Sequence, residues 1–368
     1  MDYFISAEQR RLKEIAKRIV TEKVIPQRSI MDKEDKFPQE IMQELAHTGL
    51  FKIFIPPEYG GTATGIMDLC LVVEELARAC AGVGTAYAAT ALASTPIILF
   101  GNQEQKSKYL SKVATGTLAS FGLTESEAGS DASSVKTKAV KDGEFYILNG
   151  TKQWITNGGV ADVFSIFVST NPARGARGMS AIIVDKGMPG FSIGKIEDKL
   201  GIRASNTAEL IFEDCSVPVS NLLGREGAGF LVAMRTFDYT RPGVGALSVG
   251  VAQGAIDELM RYKKVIDFGR SQFMIAELVS KVEAARAFVY AMARYADSGA
   301  RDISKWSAMA KLFASDVAME VTTKAVEIFN LAGCTEKYPI EKMFRDAKIT
   351  QIYEGTNEIQ KFVIANSI

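Results

Sequence analysis

The hydrophobic period of this chain changes twice, and those two changes constrain its fold more than any other feature. From Ala7 to about Thr117 apolar residues recur at three-to-four spacing. From about Phe121 the period changes to short β-branched and aromatic runs, and from about Gly227 the helical spacing returns. In the first part, "SAEQRRLKEIAKRIVTEKVI" opens on Ser6, a side chain able to cap a helix, and "PQEIMQELAHTGLF" opens on a proline suited to a first turn. "GIMDLCLVVEELARAC" and "GTAYAATALASTPIILFG" are apolar nearly all round, which predicts buried helices. The middle part holds "EFYILNGTKQWITNG", "VFSIFVST", "SAIIVD", "FSIGKI" and "AELIFEDCSVP". These β-branched and aromatic runs, divided by Gly, Asn, Asp and Pro, predict antiparallel strands. The long periodic segments after Gly227 predict a four-helix bundle. The expectation is an α+β chain with an N-terminal α domain over 1–120, a middle antiparallel β domain over 121–226 and a C-terminal α domain over 227–368. A chain of 368 residues, 47% of them hydrophobic, is long enough to divide in this way and to give each part a core.

Composition excludes several function classes. Lys and Arg number 43 against 43 Asp and Glu, so no basic surface for nucleic acid and no polybasic membrane anchor is expected. Cys70, Cys80, Cys215 and Cys334 form no CxxC pair and no metal spacing, and read as buried free thiols in a reducing compartment. The single histidine, His47, is expected at a helix end, and one histidine argues against a His-based zinc site or a Ser-His-Asp triad. The first segment lacks a signal-peptide apolar core, and no uninterrupted apolar run approaches a membrane span, so the expected location is cytoplasmic. "GGTATG" at Gly60 follows a loop rather than a strand, which supports neither a dinucleotide fold nor a P-loop.

Four segments carry the chemistry: "FGLTESEAGSD" (Phe121 to Asp131), "WITNGG" (Trp154 to Gly159), "FDYTRPGV" (Phe237 to Val244) and "IYEGTNEIQ" near the C-terminus. In this order, at these separations and within an α-β-α pattern, they resemble the acyl-CoA dehydrogenases. "PEYGG", "LGIRAS" and "RDAKITQIYEGT" extend the resemblance over essentially the whole chain. It implies FAD, an acyl-CoA thioester substrate and α,β-dehydrogenation to the 2,3-enoyl-CoA. It further implies a homo-oligomer, dimer or tetramer, that passes electrons to electron-transferring flavoprotein or a related carrier. By resemblance Glu354 is the base that removes the α-proton, its backbone N–H is one donor to the thioester oxygen, and a flavin hydroxyl is another. A carboxylate in water is a poor base for that proton. Hydrogen bonds to the developing enolate and exclusion of water close the gap.

The same resemblance implies that Phe121, Leu123, Thr124, Ser130, Trp154, Ile155, Thr156, Thr356 and Glu358 contact the cofactor. It places Ser130, Thr170, Asp238, Arg241 and Gly355 at the substrate. Some family members carry the base instead on the helix containing "FDYTRP"; the matching position here is Thr240, which cannot serve. Glutaryl-CoA members hold an arginine at a position matching about Val83, so an uncharged acyl chain is expected. Two segments depart from the family pattern. In 263–272, Ile266 falls near an expected arginine, and the loop after Phe268-Gly269 is short. In 327–334, Glu327, Asn330 and Leu331 replace Gln, Gly and Gly. Both segments would serve the pyrophosphate and adenine of a neighbouring subunit's FAD, with Lys263, Lys264 or Arg270 as compensating cations. The alternative reading is a subunit of a heteromeric dehydrogenase with impaired FAD retention and an architectural role.

Overall fold

Ser6 starts the first helix by a reciprocal cap. Its hydroxyl accepts the Gln9 N–H while the Gln9 side chain accepts the Ser6 N–H, setting the start of α1 (Ala7–Ile19). A π turn at Val20–Val24 joins α1 to α2 (Ile25–Lys33), and Pro26 stands in the first turn of α2, where a missing N–H costs least. Then come α3 (Gln39–His47), α4 (Ile66–Ala79), α5 (Ala81–Phe100) and α6 (Gln103–Ala114). Pro38 caps α3 from outside rather than opening its first turn, and His47 is the last residue of α3. The computed structural model describes residues 3–368.

The middle of the chain forms β1 (Ala119–Gly122), β2 (Lys138–Asp142), β3 (Phe145–Thr156), β4 (Val163–Ser169), β5 (Met179–Asp185), β6 (Phe191–Ile196), β7 (Thr207–Pro218) and β8 (Leu222–Leu223). Among the described residues they make one eight-stranded sheet in the order β6-β7-β3-β2-β4-β5-β8, with β1 also on β4. The sheet is mixed rather than wholly antiparallel. β1 runs parallel to β4, in register Ala119 to Val163, and Lys138 of β2 pairs in parallel with Ser169 of β4. Alternation within a strand reports its faces and not its direction, so the parallel pairings were invisible in the sequence. β4 is buried at every residue from Val163 to Ser169, because α5 covers one face; Ser165 Oγ donates to Ala93 O at 2.8 Å.

The remainder is α7 (Gly229–Arg261), α8 (Phe268–Asp297), α9 (Ile303–Phe329), α10 (Ile340–Lys348) and α11 (Asn357–Ala365). α7, α8, α9 and the short α10 form the bundle, and α11 lies on α9. Gly250 and Gly254 let α7 approach α4 closely, since a Cβ at either would run into the Glu74 or Arg78 carbonyl. Across the same junction, Glu74 of α4 accepts from Arg286 at 2.9 Å and from Tyr290 at 2.7 Å on α8. The carboxylate is buried but paired, as burial of a charge requires.

Two sequence expectations change here. Among the described residues one helix, α5, is long and apolar enough to cross a membrane, contrary to the expectation of none; its Ala, Gly and Thr run carries no charge. That stretch is 67% buried inside the protein and serves as core. Cys70, Cys80 and Cys215 are buried free thiols, but Cys334 is exposed, because it ends the turn after α9 rather than sitting in a helix interface.

Candidate active site

The turn between α10 and α11 places two left-handed residues in succession, Glu354 at φ +51° and Gly355 at φ +89°. Glycine adopts this conformation freely; glutamate does so at a cost on the order of 1 kcal/mol. Surrounding bonds hold the turn. Thr356 caps α11 by accepting the Ile359 N–H at 3.3 Å. Gln360 donates to Gly355 O at 2.7 Å and to Glu354 O at 3.2 Å. Lys311 of α9 donates to Gly355 O at 2.9 Å and to Asn357 Oδ1 at 2.8 Å.

The Glu354 carboxylate meets α7. Thr240 Oγ1 donates to Glu354 Oε2 at 2.8 Å, and Arg241 Nε reaches Glu354 O at 3.4 Å. Burial pushes the Glu354 carboxyl above its ordinary value, against the Thr240 bond and the Arg241 and Lys311 charges, which pull it down. Arg241 is itself buried. Its guanidinium lies 5.6 Å from the centre of the Phe237 ring and 4.0 Å from the Asp238 carboxylate.

Glu354 opens onto a cavity of about 400 Å³. The helices give it an apolar lining, from Leu69 of α4, from Ala88, Ala89 and Leu92 of α5, and from Val244 and Leu247 of α7. The sheet domain supplies further lining: Phe121 from β1, Leu123, Thr124 and Ser130 from the segment after it, and Trp154, Ile155 and Thr156 from the end of β3. Phe121 packs on Phe167 at 4.7 Å and on Phe237 at 5.5 Å between ring centres. Trp154 lines the cavity at φ +61° and stays 57% exposed, a large aromatic surface that the protein does not cover for itself.

A buried ion pair pins the segment after β1. Lys152 of β3, fully buried, donates to Glu125 at 2.6 Å and to Leu123 O at 3.2 Å. Glu125 also accepts the Lys136 N–H at 2.7 Å and the Thr137 N–H at 2.9 Å. Burial would raise this carboxyl, but the Lys152 charge and these bonds outweigh it and hold it below the ordinary value. Asn157, also left-handed, donates to Ala86 O at 2.9 Å and ties the end of β3 to α5.

Of the residues singled out by resemblance, Glu354, Gly355, Arg241, Phe121, Leu123, Thr124, Ser130, Trp154, Ile155 and Thr156 all border this one cavity. Four do not. Thr170 bonds Gly178 O at 3.0 Å and Ser180 Oγ at 2.8 Å at the far end of β4. Asp238 lies buried behind Arg241, Thr356 is occupied as a cap, and Glu358 points outward from the first turn of α11. Sequence reasoning missed Lys311, Lys152 and the Thr240 bond; α9 and β3 carry other polar residues, so neither lysine stands out in the sequence.

The two departing segments lie away from the cavity. Ile266 is buried in the turn before α8, while Lys263, Lys264 and Arg270 are exposed. Glu327 pairs with Lys324 at 2.7 Å, so its charge is met within α9. Asn330 takes φ +54°, a conformation suited to the glycine it replaces, and Leu331 is 81% exposed. The sheet-side wall, apolar with Thr and Ser hydroxyls among it, therefore fits the ring half of FAD, whereas neither departing segment offers a buried cation for a pyrophosphate.

Comparison with known proteins agrees with this geometry. Models of the N-terminal, middle and C-terminal domains of acyl-CoA dehydrogenases match residues 6–117, 120–215 and 227–368. The short-chain specific acyl-CoA dehydrogenase of Clostridium acetobutylicum is 43% identical, with 100% of each chain covered. Butyryl-CoA dehydrogenase from Megasphaera elsdenii superposes with a TM-score of 0.96 at 40% identity, covering 100% of this chain and 99% of that one. A chain solved in work on the electron transferring flavoprotein of Acidaminococcus fermentans superposes with a TM-score of 0.97 at 44% identity, covering 100% and 99%. Matched end to end and domain by domain, the chain belongs to the acyl-CoA dehydrogenase family and is an FAD-dependent acyl-CoA dehydrogenase.

Proposed function

We propose that Glu354 is the base of the reaction and that the substrate is the CoA thioester of a short, uncharged acyl chain. The observation that carries the assignment is the Glu354 carboxylate itself. It borders the cavity, its ionised form is disfavoured by burial, and it is oriented by Thr240 from the helix that carries the base in other family members. A raised carboxyl accepts a carbon-bound proton more readily than an ordinary one does, and Thr240 fixes one oxygen so that the other is free to face the substrate. The Glu354 N–H has no acceptor among the described residues, which suits it to a thioester oxygen acquiring enolate charge. Bound FAD supplies the acceptor for the β-hydride. Phe121, Leu123, Thr124, Ser130, Trp154, Ile155 and Thr156 would hold its ring, and closing the cavity around both molecules excludes water.

The acyl chain occupies the end lined by Leu69, Ala88, Ala89, Leu92, Val244 and Leu247. Val83 is buried away from it, and the bordering cation, Arg241, is committed to Asp238 and the Glu354 carbonyl. The names of the butyryl-CoA and short-chain specific relatives point the same way. Reduced cofactor would pass electrons to electron-transferring flavoprotein, as the likeness to the Acidaminococcus chain suggests. The chain is read as a cytoplasmic homo-oligomer. Buried free thiols support a reducing compartment, and Phe273 and Leu331, each 81% exposed, support a covering subunit. The architectural-subunit reading is disfavoured by the complete ring-side wall. The test is a screen of purified, flavin-loaded protein against acyl-CoA thioesters with an artificial electron acceptor, native beside Glu354→Gln. Butyryl-CoA turnover that the variant loses supports the reading; equal turnover by the variant overturns the base.

A further inference from the structure

α9 presents Lys311, Ser315 and Asp316 along one face to the turn that carries Glu354. Lys311 is fully buried, without a carboxylate bonded to its ammonium. It donates to Gly355 O at 2.9 Å and to Asn357 Oδ1 at 2.8 Å. Asn357 in turn donates to Ser315 Oγ at 2.9 Å and Asp316 Oδ1 at 2.8 Å. A buried lysine is an expensive way to bond one carbonyl, because a neutral amide does the same without desolvating a charge. Gln360 already bonds that carbonyl at 2.7 Å. What the amide cannot supply is positive charge on the turn that carries Glu354, whose neighbour Gly355 the ammonium grips.

We propose that Lys311 is a positioning residue for Glu354: it grips the Gly355 carbonyl to hold the left-handed turn, and it sets its positive charge on the same turn as the carboxylate that receives the α-proton. The proposal rests on Glu354 being the base. The charged groups around the pair are few. Arg241 faces Glu354 from α7, Lys311 faces it from α9, and Lys311 is faced in addition by Asp316 on its own helix and by Glu358 on α11. Burial pulls the Lys311 ammonium down to about 7, with the Glu354 charge working to raise it and Arg241 to lower it. Each of the two groups therefore favours the charged form of the other. When Glu354 takes up the substrate proton, the support for the ammonium weakens, so the two titrate as a linked pair.

The sign of the effect follows. Removing the Lys311 charge raises the Glu354 carboxyl further, so the acid limb of kcat/KM moves to higher pH, with about tenfold loss on the acid side for each pH unit moved. The experiment compares flavin-loaded native protein with Lys311→Met, Lys311→Gln, Lys311→Arg and Glu354→Gln. Two quantities are followed against pH: kcat/KM with butyryl-CoA, and the infrared band of the protonated carboxyl that is missing in Glu354→Gln. Lys311→Met and Lys311→Gln should move both midpoints upward together, lowering kcat more than they raise KM, while Lys311→Arg restores the native midpoints. If Lys311→Met does not fold, Lys311→Gln, which keeps a donor to Gly355 O, carries the comparison. Neutral variants whose limb and infrared midpoint stay at the native pH overturn the proposal while leaving Glu354 as the base. An active Glu354→Gln overturns the base assignment and this proposal with it.

Discussion

Glu354 is ionisable where its surroundings disfavour the ionised form. Its carboxyl is raised above the ordinary 4.5, first by burial, with Thr240, Arg241 and Lys311 opposing. Between the ordinary and the raised value the folded chain binds more protons here than the unfolded chain. Stability therefore falls as pH rises through that window, and the penalty is complete above the folded value. Glu354→Gln keeps the shape and the Thr240 contact but carries no such proton. We expect it to lose about 10²- to 10⁴-fold in turnover while retaining fold and flavin. By urea denaturation it should match the native protein at the acid end and exceed it at neutral pH. A stability difference that stays constant across that range would show that Glu354 pays no ionisation penalty. Thr240→Val tests the opposing contribution. Without the hydroxyl at 2.8 Å the carboxylate loses a bond that stabilises its charge, so the acid limb of kcat/KM should shift to higher pH. An unmoved limb would mean that water replaces the hydroxyl.

At the scale of elements, the sheet-side wall stands on one buried ion pair. The loop after β1 has few backbone bonds of its own, the Glu125–Ala128 bridge and the Gln153 N–H to Thr124 O at 2.9 Å among them, and Glu125 adds to these by accepting from Lys136, Thr137 and Lys152. Breaking such a pair on one side leaves an uncompensated buried charge, a loss of about 3–5 kcal/mol. Lys152→Met should lower urea stability by that order and weaken flavin retention with it; full stability and full flavin content would show the wall to be self-supporting. This is also where the sequence was least readable. The change of period located α4, α5 and the strands, and the motif order placed ten residues on one cavity. It gave no sign that Lys152 of β3 reaches under Leu123, or that Thr240 bonds Glu354 across 114 positions of chain, because such contacts exist only once sheet and bundle are packed. The same limit applies to strand direction: β1 against β4 is parallel because the chain enters the sheet from α6, a matter of path rather than pattern. The acyl end of the cavity was legible only negatively, through Val83. Its wall of α4, α5 and α7 side chains gives the positive form. A second carboxylate there would lose its hydration and gain no free cation, a cost of several kcal/mol. Butyryl-CoA should therefore surpass glutaryl-CoA in kcat/KM, and a clear glutaryl-CoA preference would refute the assignment of this end to an uncharged chain.

For the whole molecule, the question is how a cofactor with two halves is held by a chain that fits one of them. On the proposed assignment the ring half would face Phe121, Leu123, Thr124 and Ser130 on one segment and Trp154, Ile155 and Thr156 on another. The adenosine-diphosphate half, by resemblance, crosses to a neighbouring subunit at 263–272 and 327–334. There Ile266 is buried and apolar, Lys263, Lys264 and Arg270 lie exposed, and Glu327 is already paired with Lys324. A charge-assisted arginine–phosphate contact contributes about 1.5–3 kcal/mol, or roughly 10- to 150-fold in affinity. An exposed lysine in water contributes about 1 kcal/mol or less. The adenosine-diphosphate half should therefore add little. Titrating the apoprotein with FAD and with FMN, which shares the ring and one phosphate, should give affinities within about tenfold of each other, a difference below about 1.4 kcal/mol. Raising salt should narrow the gap further, since only screened, exposed cations remain to make it. Phe273, 81% exposed near the start of α8, offers a second check, because a covering subunit would have to bury it. Phe273→Asp should then dissociate the oligomer yet leave the FMN affinity unchanged, for the ring wall belongs to a single chain. FAD bound several hundredfold more tightly than FMN, through an arginine–pyrophosphate contact at 263–272 in the homo-oligomer, would show that this segment reaches the cofactor after all.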